Sequence, residues 1–280
     1  MPRMDFNASV CENGTFSNSV ENLKYLGIVA YSIPGIIINA KLLFVICVSH
    51  KKIYGGQPYF VIFAIDLGNS LIHLLLEVLI NRPTIYIPQL CPFLSQFYWT
   101  YPYLIHIFYP LTLYLKHVKF GIHITLSFNR LTCLLIPLKH GSFWRDTLVF
   151  WILIILIYPF LFIWNLIISE KGLLSNFGGF SWAYNKAVPW ASLALLSTCS
   201  LLFSLSLITA SSLITVFKLS TLKHRVIQTE RLLCFATMWT NLTFVLIAIA
   251  QMNFLFFPDS EWADFYYFLN DISYDVLDIG

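Results

Sequence analysis

The sequence predicts an all-α membrane protein, a bundle of seven transmembrane helices with its N-terminus outside and a seventh helix short enough to be incomplete. Two observations predict this class: the composition and the number of long apolar segments. Of the 280 residues, 58% are hydrophobic, 17% are aromatic and 11% are charged. A single soluble core of this size could not bury so much apolar surface, so lipid must be part of the solvent.

The first three predicted helices are apolar segments that carry a few charges each. They span residues 26–48, 59–80 and 104–134. Their charged residues are Lys41 in the first, Asp66 and Glu77 in the second, and Lys116, Lys119 and Arg130 in the third. Each segment provides the ~20 residues that a helix needs to cross a bilayer.

The next three predicted helices contain no Asp, Glu, Lys or Arg. They span residues 148–168, 188–217 and 232–257. Long uncharged segments of this kind are typical of helices that cross a membrane. The composition of these three segments therefore predicts three membrane spans.

The seventh predicted helix, residues 265–280, is short and acidic. Sixteen helical residues rise about 24 Å, less than a hydrocarbon core of ~30 Å. The helix contains three aspartates, Asp271, Asp275 and Asp278. On a helix they lie on the same face as Asp264, the residue just before it. If this face turns inward towards Lys116 and Lys119, the helix inserts and completes the bundle. If it stays outside, the protein has six spans.

Basic residues are unevenly divided between the predicted loops. Alternate loops hold Lys51 with Lys52, Lys139 with Arg145, and Lys218 with Lys223 and Arg225, whereas the other loops hold only Arg82, Lys171 and Lys186. Because Lys and Arg concentrate on the cytoplasmic side, the richer loops face the cytoplasm. Residues 1–22 then form an extracellular tail, without a cleavable signal peptide, and residues 23–280 form a single helical domain.

The extracellular tail contains two candidate glycosylation sites and one cysteine. Asn7 and Asn13 each begin an Asn-X-Ser/Thr sequon. Cys11 in the tail and Cys91 in the first external loop are the only cysteines predicted to lie outside. We expect them to form a disulfide in an oxidising compartment, although pairing and free thiols both remain open at this point.

Polar residues on the second and third helices form two facing stripes. On the second helix the stripe consists of Asp66, Asn69, Ser70, His73 and Glu77. On the third helix it consists of Tyr109, Thr112, Lys116, Lys119, His123, Ser127 and Arg130. Buried ions need partners, so we expect Glu77, and also His73, to pair with Lys116 or Lys119.

These stripes are open to three interpretations: contacts that hold the two helices together, the lining of a ligand cavity, or a path for protons or ions. The cavity candidates are Glu77, His73, Tyr109, Lys116, Lys119 and His123, with Asp66 and Asn69 as further intramembrane polar residues. A metal held by His73, Glu77 and His123 is a weaker hypothesis, because no cysteine or second histidine pair accompanies them.

At the cytoplasmic side, Arg130 ends the third helix and Glu230 begins the sixth. A contact between their side chains would hold these helices together, and its loss would let the sixth helix move. The alternative is that each side chain extends separately to the membrane interface.

Four short stretches resemble the nematode serpentine receptors of class gamma. They are Asn129-Arg130-Leu131-Thr132, Ile136-Pro137-Leu138-Lys139, Phe143-Trp144-Arg145 and Thr229-Glu230-Arg231-Leu232. The resemblance extends over about residues 31–275 and includes Asp66, Pro110 and Lys119. It implies a seven-helix chemoreceptor in the plasma membrane of sensory neurons, which binds an external small molecule and couples to a G protein. Asn129, Arg130 and Glu230 would then form the cytoplasmic switch.

The chain ends sixteen residues into the seventh helix, where relatives continue into a cytoplasmic tail. A truncated, non-signalling member of the family is therefore the main alternative. A transporter or channel is less favoured, because we find no inverted repeat or pair of broken helices. The sequence has no nucleophile motif, phosphate loop or paired metal-binding histidine motif, which argues against an enzyme, and we expect no cofactor. A net charge of +3 in a lipid-embedded chain does not indicate a nucleic-acid partner.

Overall fold

The computed structural model describes residues 11, 17–176, 178–221, 228–256 and 263–279. These residues contain eleven α-helices, two π-turns, a short 3₁₀ helix at Pro88–Leu90 and one two-stranded hairpin. The first eight helices are α1 (Asn18–Phe44), α2 (Lys51–Tyr54), α3 (Pro58–Leu76), α4 (Arg82–Tyr86), α5 (Cys91–Thr100), α6 (Tyr103–Leu135), α7 (His140–Ile157) and α8 (Phe160–Ile168). They are followed by strands β1 (Glu170–Asn176) and β2 (Gly179–Asn185) and by helices α9 (Leu193–Thr221), α10 (Gln228–Phe256) and α11 (Ala263–Ile279).

The fold is that of a multi-pass α-helical membrane protein. Within the described ranges, four stretches are long and apolar enough to cross a membrane: Asn18–Ser49, Pro58–Tyr86, His140–Ile168 and Leu193–Lys218. Two of them contain a π-turn, at Val45–Ser49 and at Glu77–Asn81, and a third is interrupted next to Pro159. All four correspond to segments that the sequence predicts as spans.

The second predicted helix is longer than the sequence indicates. α3 continues through the π-turn at Glu77–Asn81 into α4, so the helical stretch runs to Tyr86. The prediction that Arg82 lies in a loop is therefore wrong, because its side chain is completely buried. Partners on α11 offset its desolvation, and charge counting within one segment could not identify them.

The last helix, α11, packs against α1, α3 and α10. Gly35 on α1 allows this close approach, because a Cβ atom there would collide with the side chain of Ile279. Asp271, Asp275 and Asp278 are all buried. The acidic face of α11 therefore turns inward, as it would in the inserted arrangement.

The predicted external loop at residues 170–187 is a β-hairpin, so the all-helical prediction is incomplete here. β1 pairs with β2 in antiparallel register, with Leu173 opposite Trp182. Gly178 in the turn has a φ of 79°, a conformation that favours glycine. Gly179 lies directly against the α4 backbone, where a Cβ atom would collide with the carbonyl oxygens of Thr84 and Ile85. The hairpin is thus fixed to the end of α4.

Two hydrophobic clusters surround the polar interior of the bundle. One joins α6, α9, α10 and α11 around Phe120, Phe244 and Tyr274. The other joins α3, α6 and α7 around Ile62, Val118 and Trp144. The helices between these clusters are therefore held in fixed positions around the buried ionisable side chains.

Candidate functional site

A cluster of buried ionisable groups lies where α3, α4, α6 and α11 meet, and we call it the ion cluster. Its carboxylates are Asp66, Glu77, Asp271, Asp275 and Asp278, and its basic groups are His73, Arg82, Lys116 and Lys119. Ions are rarely buried in a membrane protein unless they pair with one another. Each member of the ion cluster does have a partner of opposite charge within it.

Arg82 connects three carboxylates. Its Nε lies 3.1 Å from Glu77 Oε2 and its Nη2 lies 3.5 Å from Asp275 Oδ1, while its Nη1 contacts Asp271. The guanidinium has five N–H donors in a planar fork, so it can serve several acceptors at once. Arg82 therefore links the end of the second helical stretch to α11.

The π-turn positions Glu77 for its contact with Arg82. In a regular α-helix, residues five apart point about 140° away from each other. In the π-turn the Arg82 backbone N–H bonds to the Glu77 carbonyl, so the two residues stack on one face. Asn81 also donates to Glu77 Oε2 at 2.8 Å.

Lys116 of α6 faces the same carboxylate. Its Nζ lies 3.4 Å from Glu77 Oε1 and 4.7 Å from the centroid of the Tyr274 ring. The structure thus contains one of the pairs anticipated between the two polar stripes. The Tyr274 ring adds a cation–π contact from α11.

Lys119 forms a second set of contacts, one turn further along α6. Its Nζ lies 3.0 Å from Asp66 Oδ1 and 3.8 Å from Asp278 Oδ1, and it donates to Ser70 Oγ at 2.6 Å. Asn69 donates to the Leu115 carbonyl at 3.1 Å. Asp66 and Asn69 therefore tie α3 to α6, and Lys119 also reaches α11.

His73 contacts α11 and not the lysines of α6. Its Nδ1 lies 2.5 Å from Asp278 Oδ2, and its Nε2 lies 3.5 Å from Glu77 Oε1. α1 adds two hydrogen bonds to α11, from Tyr31 to Asp275 at 2.5 Å and from Asn39 to the Asp278 carbonyl at 2.9 Å. The expectation that His73 pairs with a lysine is therefore wrong, because the acidic face of α11 lies closer.

Two predicted cavity residues lie outside the ion cluster. Tyr109 packs beneath the hairpin, with ring centroids 6.1 Å from Trp182 and 6.4 Å from Tyr184. The His123 ring packs edge-on against Phe244 at 5.6 Å. The structure therefore brings together Glu77, His73, Lys116 and Lys119 and places Tyr109 and His123 beside them, towards the hairpin and α10.

At the other end of α6, Arg130 donates to the Tyr59 hydroxyl at 3.3 Å. Asn129 is buried, and its carbonyl accepts a hydrogen bond from Thr132, which in turn accepts one from Trp144 Nε1 at 2.7 Å. This network fixes the last turns of α6 against α7. The Glu230 side chain lies outside the described residues, so its predicted contact with Arg130 stays a prediction.

The opposite end of the bundle, which we call the disulfide end, holds Cys11 and Cys91 in a disulfide. The two sequons at Asn7 and Asn13 lie outside the described residues. Lys171 of the hairpin donates to the Ile167 and Ser169 carbonyls at the end of α8. Burial lowers the pKa of the Lys171 ammonium.

Arg82 and the three α11 aspartates are the members of the ion cluster that the sequence analysis does not include among the cavity candidates. A single arginine just beyond an apolar segment is typical of a loop residue near the membrane interface. The aspartates on one face of α11 did indicate a need for internal cations. Helical spacing alone could not show that Arg82 and His73 supply most of that charge.

Comparison with known proteins identifies similar chains along nearly the whole length. A family model described as Srg family chemoreceptor matches residues 25–280. Serpentine receptor class gamma-4 of Caenorhabditis elegans is 40% identical over 272 residues, which cover 96% of this chain and 85% of that receptor. Serpentine receptor class gamma-5 of the same organism is 40% identical over 267 residues, or 95% and 83% of the two chains. Serpentine receptor class gamma-8 is 35% identical over 269 residues, again 95% and 83%.

Proposed function

The chain belongs to the Srg family of chemoreceptors, and from this premise we propose that it detects external small molecules and signals through a G protein. The family makes it a serpentine chemoreceptor in a membrane. Ligand binding would occur between the ion cluster and the disulfide end, and coupling would occur where α6 ends at Arg130.

Seven helical segments cross the membrane in this proposal, with the N-terminus outside. They are α1, α3 with α4, α6, α7 with α8, α9, α10 and α11. Two observations support the orientation: the basic residues concentrate in alternate loops, and the Cys11–Cys91 disulfide requires an oxidising compartment at its end of the bundle. The family resemblance implies the plasma membrane of a sensory neuron. There the basic loops would face the cytoplasm and the disulfide would face the oxidising exterior.

The ion cluster is the observation that carries this proposal. A buried ion pair contributes little or nothing to stability compared with apolar residues of the same size, because desolvation offsets the attraction. Nine ionisable groups inside one bundle are therefore not explained as stabilising contacts alone. Ionisable residues within membrane segments mark functional sites by default.

The proposed mechanism is a change of partners within the ion cluster. Glu77 is shared between His73, Arg82 and Lys116, so a ligand that engages Lys116 alters the contacts that Glu77 makes with the other two. Arg82 and His73 both contact α11, so the change moves α11 relative to α6. A ligand that binds one arrangement better shifts the population towards it.

The effect would reach the G protein through α6, whose far end carries Asn129 and Arg130. In the resting state, we propose, Arg130 also meets Glu230 of α10. Loss of that contact would free the end of α10 and open a surface for the G protein. Membrane lipid would remain in contact with the apolar outer surface throughout.

The test is G-protein activation in cells that express the chain, measured against a panel of small molecules. We expect at least one compound to activate the wild type and to lose most of its effect on Glu77→Gln. A substitution of the exposed Lys186, Lys186→Gln, is the control and should respond normally. If the chain reaches the cell surface and no compound activates it, the non-signalling alternative is favoured instead.

A further inference from the structure

The ion cluster contains more acidic than basic groups. Among the described residues it has five carboxylates and four basic groups. Arg82, Lys116 and Lys119 each lie within ion-pair distance of at least one carboxylate and supply three positive charges. The balance then depends on the charge of His73.

The contacts of His73 show that its ring is charged. Its Nδ1 lies 2.5 Å from Asp278 Oδ2 and its Nε2 lies 3.5 Å from Glu77 Oε1. A neutral imidazole has one N–H and would turn a lone pair towards one of these carboxylates, whereas the protonated ring donates to both. With His73 as the fourth cation, five ionised carboxylates would leave the ion cluster with a net charge of −1.

One further positive charge is therefore needed, because an uncompensated charge is costly inside a membrane protein. A proton or a small metal cation could supply it. A metal cation requires several ligands around it, and the described residues contain no group of three or more His, Cys, Asp or Glu side chains that could hold one. A proton requires a single carboxylate.

Asp275 has the weakest contact with a basic group. The residue is 1% exposed, and its Oδ1 lies 3.5 Å from Arg82 Nη2. The other four carboxylates have closer partners: the pairs Lys119–Asp66, Arg82–Glu77 and His73–Asp278 lie at 3.0, 3.1 and 2.5 Å, and Asp271 contacts Arg82 Nη1.

Asp275 also lies between two other carboxylates on α11. Asp271 comes four residues before it and Asp278 three residues after it, so both are its neighbours on the helix surface. Like charges at this spacing repel each other and disfavour the ionised form. Asp271 and Asp278 each have one such neighbour, whereas Asp275 has two.

The groups that face Asp275 from other elements do not remove this disadvantage. Tyr31 of α1 donates a hydrogen bond to its Oδ2 at 2.5 Å but carries no charge. Arg82 of α4 is shared with Glu77 and Asp271, and His73 of α3 is closest to Asp278. The described part of α10 over residues 238–253 contains no ionisable side chain.

We propose that Asp275 binds the proton that neutralises the ion cluster, and that it is a neutral carboxyl group at neutral pH. A proton on Oδ1 leaves Oδ2 as the carbonyl oxygen that accepts from Tyr31. Arg82 then serves Glu77 and Asp271. Ionisation of Asp275 would draw Arg82 towards it, so proton binding is linked to the contacts of Arg82. This site does not depend on ligand detection.

The test is infrared spectroscopy of the purified full chain at neutral pH, in nanodiscs of ether-linked lipids, which have no ester carbonyl. A protonated carboxyl group has a C=O stretching band that a carboxylate lacks. We expect the wild type to show this band and Asp275→Asn to lose it. Asp146→Asn is the control and should keep it, since the Asp146 side chain is 72% exposed. Absence of the band from the wild type, or its persistence in folded Asp275→Asn, would overturn the proposal.

Tyr31→Phe decides the matter if Asp275→Asn does not fold. The band should remain but move to higher wavenumber, because the Asp275 carbonyl oxygen loses its hydrogen-bond donor. Tyr25→Phe is the matched control on α1, since the Tyr25 hydroxyl donates to the Val78 carbonyl, and its band should not move. An unchanged band in Tyr31→Phe would place the proton elsewhere and overturn the assignment to Asp275.

A second measurement separates a proton from a metal cation. The melting temperature of the wild type is compared in sodium chloride and in N-methylglucamine chloride at equal ionic strength. We expect the two values to agree, because the neutralising charge is a proton. Stabilisation by sodium together with a missing carboxyl band would mean that a metal cation neutralises the ion cluster, contrary to the proposal.

Discussion

Arg82 is the residue whose loss should have the largest effect on folding. Arg82→Met leaves Glu77, Asp271 and Asp275 without their shared cation. Removing one partner of a buried ion pair costs about 3–5 kcal/mol, because the remaining charge stays desolvated. We expect little folded protein, measured as monodisperse protein after extraction and as surface expression.

Arg145 provides the matched control for this substitution. Its side chain is 78% exposed and lies 3.9 Å from Asp146, so Arg145→Met removes the same charge from the surface. Exposed pairs contribute about 0–1 kcal/mol, so Arg145→Met should be extracted normally. Equal yields for Arg82→Met and Arg145→Met would contradict the described role of Arg82.

Asp66 and Lys119 should behave as a coupled pair. Asp66→Asn and Lys119→Met each leave a buried charge, whereas the double variant removes both. We expect each single variant to lower the melting temperature and the double variant to recover most of the loss. A double-mutant cycle on purified protein measures this coupling. If the stability losses of the two single variants add up in the double variant, the 3.0 Å contact contributes no coupling free energy, and the prediction is contradicted.

The polar stripes were predictable from the sequence, but most of their pairings were not. Asp66, His73, Glu77, Lys116 and Lys119 stand out because helical spacing puts them on inward faces. Which partner each of these side chains contacts depends on α11, the last helix in the sequence. Spacing within one helix has no information about such contacts.

The π-turn in the second helical stretch leads to a prediction about deletions. Removing Leu79 shortens the separation of Glu77 and Arg82 to four residues, which stack in a regular α-helix. The Glu77–Arg82 contact should therefore survive. Removing Ile72 instead rotates both residues by about 100° relative to Asp66, and the ion cluster should be lost.

The two deletions are matched, because both residues face outward, with exposures of 66% for Leu79 and 51% for Ile72. Surface expression and melting temperature are the readouts. We expect near-normal values without Leu79 and loss of folded protein without Ile72. If both deletions are equally damaging, the π-turn is not what brings Glu77 and Arg82 together.

The helical elements were largely predictable, because long apolar segments have few alternatives to a membrane helix. The ends of the helices were less predictable. The second helical stretch continues past Ile80, because Arg82 pairs with carboxylates on α11.

The hairpin was not predicted, because a short segment between two predicted spans was interpreted as an external loop. In the structure this segment buries apolar residues such as Leu173 and Trp182. Aromatic residues at every second position of β2, Phe180, Trp182 and Tyr184, could have indicated that strand, whereas β1 shows no such alternation.

The disulfide acts on the whole molecule, because Cys11 and Cys91 are 80 residues apart. Closing a loop of that length restricts the unfolded chain by about 4–5 kcal/mol in the entropic model. Cys11→Ser and Cys91→Ser should lower the melting temperature by the same amount, and the double variant should lose no more. Cys133→Ser is the control, since Cys133 is free and exposed. Different losses for the two single variants would contradict the pairing.

The docking of α11 into the bundle is the central claim, since the ion cluster and the ligand site both depend on it. We would test it with the pair Gly35→Cys and Ile279→Cys, in a chain whose Cys47, Cys133, Cys199 and Cys234 are changed to Ser. A protease site inserted within residues 222–227 separates the two engineered cysteines, while the native disulfide stays within one fragment.

After mild oxidation and cleavage in native membranes, the two fragments should stay joined on a non-reducing gel and separate on a reducing one. Pairing Ile279→Cys with Gly27→Cys is the control, since Gly27 has no neighbouring side chain within 4 Å and lies two turns away. Fragments that separate without reductant in the Gly35 pair, or that stay joined equally in the Gly27 pair, would contradict the docked position of α11.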